Sequence, residues 1–301
     1  MGSRALYREV TVKSALTRVQ GMPFGWSLNP YVGCERACVY CYARDYHARR
    51  GRDTGAGFDR EIDVKINFPE LLAHELARLR KRETVALGTA TDPYQQCEGR
   101  YRITRRALEA LVASPLPLVV ITKGSMVVRD IDLLSKLDVK VCMSIGTVSE
   151  DLARTSEPHA SPPKARLEAV RRLVSAGIDA GVLAAPILPG LSDSEASLDA
   201  VAAAAAAHGA TFFSTRPLKL DPGVKPHYFA FLAEHHPALL ASNAARFAER
   251  VNPERSYVDA LEDRARRVRS RYEFKERPFR RPPEPARPPE PARPSQLRLS
   301  I

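Results

Sequence analysis

The sequence predicts an α/β fold of about six parallel βα repeats, and three observations carry that prediction. Short β-branched runs alternate with longer stretches whose apolar residues recur at helical spacing, which favours a parallel sheet with crossover helices over a sandwich or a bundle. The chain has 301 residues, enough to bury a sizeable core. The unusual residues gather just after the predicted strands, where βα loops converge and chemistry collects in repeats of this kind.

Residues 1–26 read as an N-terminal extension. A βα domain over 27–220 opens with an extended entry through Ser27–Tyr31, a cysteine-rich loop, and a helix over Tyr42–Arg50. Leu71, Leu72, Leu76 and Leu79 set the apolar face of a helix over Pro69–Lys81, and a strand follows at Thr84–Gly88. Four further helix and strand pairs are Ile103–Ala113 with Leu118–Thr122, Asp130–Leu137 with Val139–Ile145, Pro163–Ala176 with Asp179–Ile187, and Asp193–His208 with Thr211–Thr215. A helical region over 221–276 contains Phe229–Val251 and Tyr257–Tyr272. In the tail, 277–301, the hexad RPPEPA occurs at 281–286 and again at 287–292, and a proline-rich repeat supports neither helix nor sheet, so extended, disordered chain is expected.

Hydrophobic residues are 44% and charged residues 27% of the chain, ordinary for a globular protein, and the longest apolar run, Ala200 to Ala207, is too short to span a bilayer. No apolar stretch of signal-peptide type follows Met1, so a soluble cytoplasmic protein is expected, with no membrane partner. The net charge of +11 favours polyanionic partners, DNA or RNA. Part of it lies in the tail, where six arginines face only Glu284 and Glu290, and part on the helix carrying Arg264, Arg266, Arg267, Arg269 and Arg271. That helix reads either as a solvated face or as a nucleic-acid contact.

Five cysteines under reducing conditions point to metal ligands or reactive thiols. Cys34-x3-Cys38-x2-Cys41 supplies three thiolates from one loop, while Cys97 and Cys142 stand alone. A structural zinc site would need a fourth ligand, with His47, Cys97 and Cys142 as candidates. An iron–sulfur cube can take three thiolates and leave one iron open to a small molecule. No GxGxxG or GxxxxGK[ST] pattern opens any of the predicted helices, which weakens Rossmann and P-loop readings.

The segment NPYVGCERACVYCYAR, with aromatic Tyr40 immediately before the third cysteine, resembles the radical S-adenosylmethionine enzymes. Within that superfamily, GTATDPYQQCEGRYRITRRALEAL (88–111), ITKG (121–124), SIGT (144–147), SEPHASPPKARLEAVRRLVSAGI (156–178) and VLAAPILPGLSD (182–193) resemble the branch of spore photoproduct lyase and DNA-repair-photolyase-like proteins. The resemblance spans about 29–215 and implies an incomplete (β/α)6 TIM-like barrel with a [4Fe–4S] cluster at its open top. It also implies S-adenosyl-L-methionine as second cofactor, cleaved by one-electron reduction to a 5′-deoxyadenosyl radical, and a flavodoxin- or ferredoxin-type reductant. The cofactor pair carries the hard chemistry, and the protein orients the substrate.

Carried over residue by residue, the resemblance makes Cys34, Cys38 and Cys41 the cluster ligands and lays Tyr40 against the adenine. Thr89, Thr91 and Asp92 stand where many relatives hold the methionine amino group, although the usual Gly-Gly-Glu is absent. Lys123, Ser144, Glu157 and Arg166 are the remaining expected cofactor contacts, each also open to a scaffold reading as ion pair, helix-start or cap residue. Spore photoproduct lyase returns hydrogen from a cysteine near this place, and Thr89 cannot do so because its O–H bond is too strong. Cys97, expected in an accessible loop, is the candidate hydrogen donor, with an inert loop cysteine as the alternative reading, and Cys142, one layer below Ser144 on the same strand face, is expected to be a buried core thiol. The alternative function is a nucleic-acid-binding protein whose cysteine loop holds zinc or a permanent cluster without radical catalysis.

Overall fold

A computed structural model describes residues 5–79 and 83–278. In chain order the strands are β1 (Leu6–Val10), β2 (Leu16–Arg18), β3 (Trp26–Leu28), β4 (Tyr31–Val32), β5 (Glu61–Lys65), β6 (Val85–Leu87), β7 (Leu118–Thr122), β8 (Val139–Ser144), β9 (Asp179–Ile187) and β10 (Phe213–Pro217). The helices are α1 (Ala43–Ala48), α2 (Ala56–Arg60), α3 (Phe68–Arg78), α4 (Glu98–Tyr101), α5 (Ile103–Ala113), α6 (Ile131–Leu134), α7 (Glu150–Ser156), α8 (Pro163–Ser175), α9 (Glu195–Ala207), α10 (Lys225–His235), α11 (Leu240–Phe247) and α12 (Arg255–Arg269).

The main sheet runs β10-β9-β8-β7-β6-β3-β2, parallel throughout except for β2, which pairs antiparallel with β3. The six parallel strands are those read from the sequence, and with their helices they form the incomplete α/β barrel. Alternate residues bury Val120, Val141, Met143 and Val182 completely, as expected where crossover helices cover a parallel sheet. The other register rows, Val119 with Lys140 and Asp179, and Ile121 with Cys142 and Gly181, line the opposite, concave side. Cys142 does share the face of Ser144, but it is half-buried and not a core thiol.

The sequence reading assigned no strand before Ser27 and none between the cysteine loop and α3. The structure places there a second sheet, β1-β5-β4, in which β1 runs parallel to β5 and β4 antiparallel to it. The helix read over Phe229–Val251 divides into α10, a 3-10 turn at Pro237–Leu239, and α11, because Pro237 has no N–H for a continuous ladder. The end of the Pro69–Lys81 helix and the tail from 279 onward lie outside the described residues.

α12 packs along α9 and β10. Its basic residues are largely paired: Arg266 with Asp263 at 3.0 Å, Arg267 with Glu195 at 2.9 Å, Arg269 with Glu276 at 3.2 Å, and Arg271 with Asp199 at 3.0 Å. The helix is thus a solvated face whose charge is largely offset by ion pairs. Among the described residues, no helix is long and apolar enough to cross a membrane.

Candidate active site

The cysteine loop follows β4 and leads into α1. Gly33 opens it at φ +84°, a left-handed conformation in which a Cβ would press on the Glu61 and Phe58 carbonyl oxygens at 2.9 and 3.0 Å. The backbone N–H of Cys34 donates to Phe58 O at 3.0 Å, and that of Val39 to Ser156 O at 3.0 Å. Arg44 is buried, lies over the Phe58 ring with its guanidinium carbon 4.8 Å from the centroid, and donates twice to Cys38 O at 3.1 and 3.2 Å and once to Asp59 Oδ1 at 2.8 Å. The loop is thus pinned from α1 and α2 on one side and from α7 on the other.

Glu35 and Arg36, between the first two cysteines, point inward as further anchors. Glu35 accepts from Tyr7 Oη at 2.7 Å and from Cys97 N at 2.9 Å, while its own N–H donates to Gln95 Oε1 at 2.8 Å. Arg36 donates to Asp92 Oδ2 at 3.2 Å, to His159 O at 3.1 Å and to Tyr94 O. Neither residue was singled out from the sequence. The available signal was a pair of charged residues inside a loop of small and apolar ones.

Cys34 and Cys38 are buried, Cys41 is half-buried, and all three are free thiols. Burial pushes Cys34 and Cys38 up to about 12 and Cys41 up to about 11, and the positive charge of a bound metal would favour their thiolate forms. Among the described residues no group of three His, Cys, Asp or Glu side chains is gathered closely enough to hold a metal ion. Three free thiols within one loop are the donors that an iron–sulfur cube with one open iron would use.

Tyr40, Lys123, Ser144, Glu157 and Arg166, expected separately from five parts of the sequence, form one buried network against this loop. Tyr40 Oη donates to Glu157, which also pairs with Arg166. Arg166 is 1% and Glu157 5% exposed, so theirs is an interior pair rather than a surface one. Arg166 Nη1 donates to Ser144 O at 2.8 Å, and Lys123 Nζ to Ser144 Oγ at 2.8 Å. Lys123 Nζ lies 3.8 Å from Glu157 and 5.5 Å from the Tyr40 ring centroid. Burial alone would push Glu157 up, but the Arg166 and Lys123 charges outweigh it and hold the carboxyl below its usual range.

The end of β6 divides the expected cofactor residues into two groups. Thr89 Oγ1 sits 2.5 Å from Ser27 Oγ and 3.2 Å from Asn29 Nδ2, a polar cluster across the β3 and β6 ends in which Ser27 and Asn29 were not anticipated. Asp92 and Thr91 turn the other way and are occupied. Asp92 accepts from Tyr94 N at 2.8 Å, Thr122 Oγ1 at 2.6 Å, Lys123 N at 2.9 Å and Arg36 Nε at 3.2 Å. Thr91 donates to Gly33 O at 2.6 Å and accepts from Gln95 Nε2 at 3.0 Å. Both brace the cysteine loop, with all four acceptor sites of the Asp92 carboxylate taken.

Cys97 lies deeper than the sequence suggests. It is 1% exposed beneath the loop, where burial first and Glu35 second push its thiol far up. The turn through Asp92–Cys97 folds under the cysteines because Glu35, Arg36 and Asp92 draw it in, so the accessible loop expected for a hydrogen donor is absent at this residue.

A sequence profile of the radical SAM superfamily matches residues 28–200. An uncharacterized protein of Mycobacterium tuberculosis is 36% identical over 274 residues, covering 88% of this chain and 81% of its own length. A radical SAM Nalpha-GlyT isomerase of Pseudomonas phage M6 is 26% identical over 164 residues, 54% of this chain and 33% of the isomerase. Among solved structures, a spore photoproduct lyase double mutant with bound AdoMet and dinucleoside spore photoproduct superposes with a TM-score of 0.71 at 16% identity, over 89% of this chain and 80% of the lyase. From its cysteine loop to its partial barrel, this chain belongs to the radical SAM superfamily and is an enzyme of radical-based chemistry.

Proposed function

We propose that the enzyme reductively cleaves S-adenosylmethionine at a [4Fe–4S] cluster held by Cys34, Cys38 and Cys41 and acts on a nucleic-acid substrate, in repair or modification. The observation that carries the first half is one short loop of three free thiols, two buried and one half-buried, set against the Tyr40, Lys123, Ser144, Glu157 and Arg166 network. When bound, the cluster supplies the electron that splits S-adenosylmethionine into methionine and a 5′-deoxyadenosyl radical. The chain's own residues bind and orient. Tyr40 offers its ring to the adenine, with its hydroxyl fixed by Glu157. Lys123 and Ser144 present polar atoms at the β7 and β8 ends, and Arg166 fixes the Ser144 carbonyl and the charge of Glu157 together. Thr89, with Ser27 and Asn29, borders the space above the strand ends, while Asp92 and Thr91 act as positioning residues for the loop. The buried pairing of Glu157 with Arg166 keeps both charges in place with little reorganisation.

The nucleic-acid half rests on the net charge of +11 and is consistent with the dinucleoside held by the lyase of like fold. A one-electron donor of flavodoxin or ferredoxin type and a cytoplasmic setting complete the reading. Anaerobic reconstitution tests the ligand set. Wild-type protein is expected to be brown with stoichiometric iron and sulfide, and Cys34→Ala, Cys38→Ala and Cys41→Ala are each expected to lose that chromophore. Full iron, sulfide and visible absorption in any of the three would refute the assignment, and a colourless zinc protein would favour the binding-module alternative.

A further inference from the structure

Tyr42 follows the last cysteine, and it is 43% exposed while Tyr46 is 46% exposed, among the few large hydrophobic side chains so open to solvent. Their rings meet edge to face, centroids 6.1 Å apart at 84°. Tyr42 Oη donates to Thr89 O, which ties this pair to the polar cluster at the β6 end, beside the site. Residues four apart share a helix face, and the turn continues past α1 through Arg50 N to His47 O at 2.9 Å. Tyr42, Tyr46 and Arg50 therefore form one stripe leading outward from the cysteine loop.

The charges around the stripe are uneven. Arg49 is taken by Asp45 at 2.7 Å and Arg52 by Asp63 at 2.7 Å. Among the described residues, no carboxylate pairs with Arg50 or with Lys65, whose ammonium donates to Asn29 O at 2.6 Å. Burial, and after it the positive charge of Arg50, push Lys65 down to about 8. The Asp63 carboxylate offsets part of the charge at Lys65 without pairing with it, and Arg50 is exposed one turn beyond the Tyr46 ring, whereas the arginines of α12 already have carboxylate partners. Cationic groups tracking phosphates beside aromatic rings that stack unpaired bases are what single-stranded nucleic acid binds.

We infer that Tyr42, Tyr46, Arg50 and Lys65 form the platform that receives a single-stranded nucleic acid, with bases against the tyrosines and phosphates on the two cations. This rests on the nucleic-acid reading above and deepens it by naming the strand state and the face. Exposed bases on this stripe would enter the barrel mouth past Thr89.

The test is fluorescence anisotropy of labelled twelve-nucleotide single-stranded DNA and RNA of mixed sequence, with full-length cluster-loaded protein over a salt series. Tyr46→Ala is expected to weaken binding by roughly fivefold to a hundredfold, with Tyr46→Phe close to wild type, since stacking needs the ring and not the hydroxyl. Arg50→Ala is expected to weaken binding and to lower the salt slope by about one. An Arg266→Ala/Arg269→Ala double variant on α12 should bind as wild type does. Tyr46 and Arg50 are both exposed, so unchanged thermal midpoints should accompany these effects. Wild-type binding that survives Tyr46→Ala and Arg50→Ala, or that falls instead with the α12 variant, overturns the platform while leaving the substrate class standing. Absence of wild-type binding to either oligonucleotide overturns the substrate class and the platform with it.

Discussion

Glu157 is held by Arg166, Lys123 and Tyr40 in a place nearly closed to water. Removing one partner of such a pair leaves a buried charge uncompensated, so Arg166→Ala is expected to lower stability by about 3–5 kcal/mol. Chemical denaturation reads this directly, and a loss within ~0.5 kcal/mol would show that water compensates the carboxylate. Cys97 invites the opposite expectation. It is enclosed beneath the loop against Glu35, so Cys97→Ala is expected to cost on the order of 1 kcal/mol of stability and to leave the product distribution unchanged in product mass spectra. Diverted adducts would return it to the reaction. The cysteine spacing and Tyr40 were legible in the sequence because ligand geometry is written locally. The duties of Arg36 and Arg44 were not, since Arg36 meets Asp92 and His159, contacts that exist only after the barrel closes.

At the scale of elements, β7, β8 and β9 were readable because both faces of a central parallel strand demand apolar residues, and LVVIT at 118–122 supplies them. β1 (LYREV) and β5 (EIDVK) escaped because their charged residues alternate with only a few apolar ones and β1 is largely exposed. Their sheet nevertheless shapes the site. β5 presses on Gly33 through Glu61, and Tyr7 on β1 reaches Glu35. The end of β6 is as constrained. Gly88 turns at φ +92°, and a Cβ there would overlap the Ile121 carbonyl oxygen and lie 2.7 Å from Pro93 Cδ. Gly88→Ala is therefore expected to destabilise by about 1–3 kcal/mol or more and, by displacing the 89–92 segment, to loosen cluster retention. Equilibrium unfolding together with iron content after gel filtration measures both, and a variant with wild-type stability and iron would show that the turn relaxes freely.

For the whole molecule, the resemblance carried by the sequence and the superposed fold agree on a partial barrel whose strand ends face one polar mouth. The basic composition, by contrast, did not show which cations are paired: α12 is rich in arginine and largely neutralised, whereas among the described residues no carboxylate lies within ion-pair distance of Arg50 or Lys65. Under the proposed function the loop cysteines and the Tyr40 to Arg166 network serve one cleavage reaction. The most direct measurement is 5′-deoxyadenosine formed by anaerobically reconstituted, dithionite-reduced protein given S-adenosylmethionine. It should accumulate in proportion to cluster content, faster with single-stranded nucleic acid, and vanish in Cys38→Ala. A fully loaded protein that yields no 5′-deoxyadenosine, with or without nucleic acid, would contradict the account.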